Sequence, residues 1–97
     1  MKPKDLNRDL RILMLEDSSD DAELAERELR KAGLHFVAKR ADIRNEFIRA
    51  LEEFHPDVIL SDYKLPNLNG IAALEIVRRD HQEVPVIMVT GVLADIA

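Results

Sequence analysis

Short apolar runs alternate with helical periods along this chain. Arg11–Leu15 (RILML) is compact and apolar, stops at Glu16-Asp17, and reads as a buried strand. Ser18-Ser19-Asp20-Asp21 then offers N-cap candidates and first-turn acids for a helix running to about Ala32. Ala22, Ala25, Leu29 and Ala32 share one face of that helix, Glu26 and Arg30 stand one turn apart on its outer side, and Gly33 is its stop. His35–Lys39 (HFVAK) is shorter and more polar, which predicts a strand at a sheet edge. Asp42 is placed to cap a second helix, whose stripe of Phe47, Ala50, Leu51 and Phe54 follows the i, i+3, i+4, i+7 period; Pro56 ends it. Asp57–Ser61 (DVILS) predicts another buried strand, cut off by Asp62, and residues 63–69 form a loop around Pro66. Asn69 caps a third helix through about Asp80, apolar on most sides and so expected to be well covered. Val84–Val89 (VPVIMV) is a fourth strand, ending at Thr90-Gly91.

The pattern is β-α-β-α-β-α-β. Continuous apolar strands separated by helices predict an α/β fold whose parallel sheet is covered on both faces, doubly wound in a flavodoxin-like order 2-1-3-4. Composition adds boundaries. Ninety-seven residues, 46% of them apolar, suffice for one domain with one core. Residues 1–10, with Lys2, Lys4 and Arg8, read as a leader, and 11–97 as the domain itself. The absence of cysteine excludes disulfides, thiolate metal sites and thiol nucleophiles, and fits a reducing, cytoplasmic setting. A net charge of −5 disfavours a nucleic-acid surface, and no apolar stretch approaches the ~20 residues that span a membrane.

In open parallel sheets, ligands bind beyond the carboxyl ends of the strands, where strand order reverses. Strand one ends in Glu16-Asp17, strand three in Asp62 and strand four in Thr90-Gly91. Strands one and three lie side by side in the expected order, so three carboxylates converge on one mouth. Like charges that close are costly unless neutralised, and a hard divalent cation such as Mg²⁺ meets the need with oxygen ligands. One carboxylate can then attack phosphorus, while a threonine hydroxyl and a backbone N–H hold the phosphoryl oxygens. The strand ends alone therefore predict a phosphoryl-transfer site.

Glu16-Asp17 after an apolar strand, Asp62-x-x-Leu65-Pro66-x-Leu68-Asn69-Gly70, and Thr90-Gly91 closing a fourth strand together resemble the response-regulator receiver domains of two-component signalling. The resemblance runs from Arg11 to about Asp95, and its specificity lies in three short motifs falling in register at strand ends. It implies that Asp62 is the phosphoacceptor, that Asp17 is a direct Mg²⁺ ligand with Glu16 acting through water, and that Lys64 offers the metal its backbone carbonyl. Thr90 would be the switch hydroxyl and Gly91 the small residue beside it; Pro66 and Gly70 shape the loop after the acceptor. It further implies a signalling module rather than an enzyme, one that takes its phosphoryl group from a sensor histidine kinase or phosphotransfer protein.

The sequence also departs from the family. Receivers carry a lysine and an aromatic on a fifth strand, and neither has a counterpart in these 97 residues. Either the chain is a C-terminally incomplete receiver, or a shortened domain folds alone or with a partner. An open fourth-strand edge would invite self-association. The competing reading is a receiver-like interaction or dimerisation module that is not phosphorylated. A phosphatase with an aspartyl-phosphate intermediate is disfavoured because Lys64 stands where such enzymes carry a second acid. His35, His55 and His81 fall on separate elements at no ligand spacing, and Met14 and Met88 read as core packing.

Overall fold

The computed structural model describes residues 9–62 and 70–89. Its elements are β1 (Leu10–Leu15), α1 (Ser19–Lys31), β2 (Phe36–Ala41), α2 (Arg44–Glu53), β3 (Val58–Asp62), α3 (Gly70–Asp80) and β4 (Val86–Val89). The four strands are all parallel and lie in the order β2-β1-β3-β4, as the pattern predicts. β1 is paired on both sides, with β2 on one flank and β3 on the other. The topological switch point therefore lies between β1 and β3.

Alternation along β1 builds two cores. Leu13 and Leu15 point to the face where α2 and α3 pack, joining Phe47, Ala50, Leu51, Ile59, Ala73, Ile76 and Val77. Ile12 and Met14 point to the opposite face, joining Ala22 of α1 and Phe36, with Ala25, Leu29, Val58 and Leu60 around them. Among the described residues, that face is thinly covered toward β4. Ile87 is the register partner of Leu60, so it shares the α1 side, and it stays 51% exposed.

At the amino end of the sheet, β1 and β3 are joined by a reciprocal pair of bonds. The Arg11 N–H donates to Asp57 Oδ2 at 2.8 Å, and the Asp57 N–H donates to the Arg11 carbonyl at 2.8 Å. These bonds fall one residue before the first ladder pair, Ile12 with Val58.

α1 begins and ends as its sequence demands. Ser18 is the N-cap, its Oγ accepting the Asp21 N–H at 3.2 Å, and Asp20 and Asp21 supply the first-turn acids. At the other end the Gly33 N–H donates to the Arg30 carbonyl and the Leu34 N–H to the Leu29 carbonyl, a Schellman closure with Gly33 at φ +94°. Glu26 and Arg30 form the expected pair at 3.2 Å, and the Arg30 guanidinium lies 4.4 Å from the centre of the Phe36 ring.

Several expectations are corrected. Ala32 is exposed: the helix stops at Lys31, and the cap residue has turned out of the apolar stripe. α2 starts at Arg44, so its N-cap is Ile43, which makes no side-chain cap bond; Asp42 instead lies 4.0 Å from Arg40 Nη1. α3 buries one face through Ala73, Ile76 and Val77 and leaves Ile71 57% exposed, so it is less covered than its composition suggests. β2 begins at Phe36 and extends to Ala41, β3 runs one residue further to include Asp62, and β4 begins at Val86, after Pro85. The expected loop 63–69, including Lys64, Pro66 and Asn69, lies outside the described residues, as do Thr90 and Gly91.

Candidate functional site

The register of the sheet positions the acids. Leu15 pairs with Ser61, so Glu16 and Asp62 come next, level with each other at the carboxyl ends of adjacent strands. Asp17 follows Glu16 and is exposed, whereas Glu16 and Asp62 are half-buried. One carboxylate oxygen from each of Glu16, Asp17 and Asp62 lies within 4.8 Å of the others. Among the described residues this is the cluster of His, Cys, Asp or Glu with metal-ligand proximity, and no histidine joins it.

Backbone contacts hold the site in place. The Glu16 N–H donates to the Ala41 carbonyl at 3.1 Å, and the Glu16 carbonyl accepts from Arg40 Nη1 at 3.0 Å. The Ser18 N–H donates to Glu16 Oε2 at 3.1 Å, so the residue that caps α1 also orients the acid before it. Ser61 is fully buried, and its hydroxyl donates to the Asp62 carbonyl at 3.2 Å. On the other flank, Asp62 pairs with Val89, the last described residue of β4.

Crowding shows in the protonation of Glu16. Burial is the largest influence, raising its pKa to about 7; the Ser18 N–H opposes this, while the Asp62 charge, the hydrogen bond to Asp17 and the Asp21 charge add to it. The cluster thus holds a proton near neutrality. A cation can take that proton's place.

The donor set fits a hard divalent ion. One carboxylate oxygen from each of Glu16, Asp17 and Asp62, within 4.8 Å of the others, supplies the all-oxygen donors that such an ion takes. Beside the acids, a cleft of about 190 Å³ runs between α1 and the sheet, lined by Met14, Leu60 and Val89 from the strands and Ala25 and Leu29 from α1, together with Glu16, Asp21 and Asp62. The arrangement offers an anchored carboxylate at the end of β3, two further acids to neutralise a cation, and an apolar surround that strengthens charge interactions.

Of the residues singled out from sequence, Glu16, Asp17 and Asp62 come together; Lys64, Thr90 and Gly91 lie outside the described residues. Sequence reasoning missed Arg40 and Ser61, which brace the Glu16 and Asp62 peptides, and the proximity of Asp21 to Glu16. Asp21 carries a partial signal, as one of two first-turn acids in a helix that opens just after Glu16. Arg40 and Ser61 gave none until the strand register was known.

The family model for the response regulator receiver domain matches residues 12–96. The DNA-binding transcriptional regulator NtrC of Salmonella typhimurium is 34% identical over 80 residues, which cover 82% of this chain and 17% of that protein. Transcription factor SKN7 of Saccharomyces cerevisiae is 33% identical over 86 residues, covering 89% of this chain and 14% of that protein. The chain spans about a sixth of the length of the NtrC relatives it matches. Among solved structures, the MaeR response regulator bound to beryllium trifluoride superposes with a TM-score of 0.75 at 27% identity, covering 84% of this chain and 67% of that one.

Proposed function

The chain belongs to the response regulator receiver family, and from that premise we propose that it is a phosphoacceptor in two-component signalling, with Asp62 as the acceptor. The observation that carries the reading is the convergence of Glu16, Asp17 and Asp62 within 4.8 Å at the switch point of the sheet. A carboxylate oxygen of Asp62 attacks the phosphorus of a phosphohistidine on a sensor kinase or phosphotransfer protein. The new O–P bond forms as the N–P bond breaks, the histidine nitrogen keeps the electron pair and takes up a proton, and Asp62 becomes an acyl phosphate.

Asp17 and Asp62 would hold Mg²⁺ directly, Glu16 through water, and Lys64 through its backbone carbonyl. When bound, the ion supplies positive charge that offsets the acids and the developing phosphoryl charge. Asp62 stands at the terminus of β3 with its peptide braced by Ser61, so the nucleophile is oriented by the sheet rather than by a loop. Thr90 and Gly91 complete the reading as the hydroxyl and N–H that receive the phosphoryl oxygens. The chain itself is a substrate of the kinase that catalyses its own phosphoryl transfer, not an enzyme acting on others, and a kinase donor that uses ATP places the exchange in the cytoplasm.

We also propose self-association through β4, which lies at the edge of the described sheet with Ile87 exposed beside it. The central test uses a small acyl-phosphate donor with Mg²⁺, and beryllium fluoride as a non-hydrolysable counterpart, since beryllium fluoride on an oxygen has the shape of a phosphoryl group. The wild-type chain incorporates one phosphate and Asp62→Asn incorporates none. Equal incorporation by both would remove Asp62 as the acceptor.

A further inference from the structure

We infer that Arg40, on the edge strand β2, is a positioning residue for the acidic pair: its guanidinium fixes the Glu16 carbonyl and thereby the direction in which Glu16 and Asp17 present their carboxylates. The inference rests on the reading of these acids as a cation site.

The need for such a residue follows from where β2 ends. The β1–β2 ladder pairs Leu15 with Ala41, and the Glu16 N–H extends it by one bond to the Ala41 carbonyl at 3.1 Å. A parallel ladder would continue with the Glu16 carbonyl accepting from the N–H of Ile43. At Ile43, however, the chain leaves the sheet and becomes the N-cap of α2. Arg40 supplies the donor from its side chain, with Nη1 at 3.0 Å from the Glu16 carbonyl oxygen. The peptide that joins Glu16 to Asp17 is thus gripped by an arginine in place of a strand.

The guanidinium is itself steadied. Asp42 Oδ2 lies 4.0 Å from the same Nη1, so one nitrogen faces both a carbonyl and a carboxylate. The oxygen that Arg40 grips is the Glu16 carbonyl, not its carboxylate, so its hold on the pair runs through the peptide. A basic residue on an edge strand also serves to blunt the edge, and that is the role from which the positioning role must be separated.

Geometry and charge predict opposite signs. Deleting a cation beside three acids would, by Coulomb's law alone, tighten Mg²⁺ binding. Deleting the bond that aims two of the ligands weakens it. Arg40→Met keeps the aliphatic stem and removes both donor and charge, and Arg40→Lys keeps the charge and one donor. Calorimetric titration of the 97-residue chain with Mg²⁺ should show binding weakened about three- to tenfold in Arg40→Met, the loss expected for one hydrogen bond, and restored to within about twofold in Arg40→Lys. In the metal-free protein, amide exchange followed by NMR should quicken in Arg40→Met at Glu16, whose N–H bonds the Ala41 carbonyl, by more than at Leu13 and Met14.

Unchanged or tighter Mg²⁺ binding with unchanged Glu16 exchange would reduce Arg40 to an edge charge. Should the wild-type chain bind no Mg²⁺ at all, the phosphoacceptor reading fails, and the metal-free exchange at Glu16 still decides for or against Arg40.

Discussion

Glu16 carries the pH dependence of the site. Its folded-state pKa is raised to about 7 from an ordinary 4.5, chiefly by burial. Between those values the folded metal-free chain keeps a proton that the unfolded chain has released. Stability is therefore highest below about pH 4.5 as far as this group is concerned, falls as pH rises through the window, and bears the full cost above 7. Melting curves of the metal-free chain should drop from pH 5 to pH 8 more steeply than those of Glu16→Gln, and parallel curves would contradict the assignment. On the proposed reading Mg²⁺ would compete with the same proton, so its apparent affinity should rise toward pH 7 and then level off, a trend that Glu16→Gln should abolish. The acids were legible from sequence because each closes an apolar strand, and parallel pairing brings strand ends together without any side-chain detail. Arg40 and Ser61 were not, because which polar group turns toward a neighbouring peptide depends on where each strand stops.

At the scale of single elements, α1 shows local chemistry and tertiary demand in agreement. Its Ser18 cap, first-turn acids and Gly33 stop are all local signals, and all three hold. A Cβ at Gly33 would meet nothing within 4 Å, so the cost of Gly33→Ala is purely one of backbone conformation at φ +94°. Denaturant unfolding should show Gly33→Ala less stable by about 1 kcal/mol; an unchanged midpoint would mean the Schellman closure tolerates a side chain. α2 is the counter-example. Asp42 has the chemistry of a cap, yet α2 opens one residue later than a cap at Asp42 requires, and Ile43 takes the cap position with no side chain to fill it. The reason lies in the sheet: Arg40 and Ala41 remain engaged with Glu16 and delay the departure of the chain from β2. α3 is less covered than its sequence predicts for a related reason, since apolar composition says nothing of how far the sheet beneath a helix extends.

For the molecule as a whole, strand order and the division into two cores were legible because β1 is apolar at every position from Ile12 to Leu15, which only a strand packed on both faces requires. The uneven cover of those faces was not. Ile87 beside the β4 edge predicts concentration-dependent association, which Ile87→Lys should lower with little change in melting temperature; light scattering that finds wild type and variant equally monomeric at high concentration would remove the edge from consideration. The far end of the sheet bears on the acids in a different way. Arg11 and Asp57 are tied to each other, and five residues on from each stand Glu16 and Asp62. The two segments are equal lengths measured from one fixed knot, so the acids arrive abreast. A slip of one residue in β3 would carry Asp62 about 3.3 Å along the strand and turn it to the other face. Whether Asp62 meets its neighbours at all is therefore gauged at the opposite end of the sheet, five residues away along each strand.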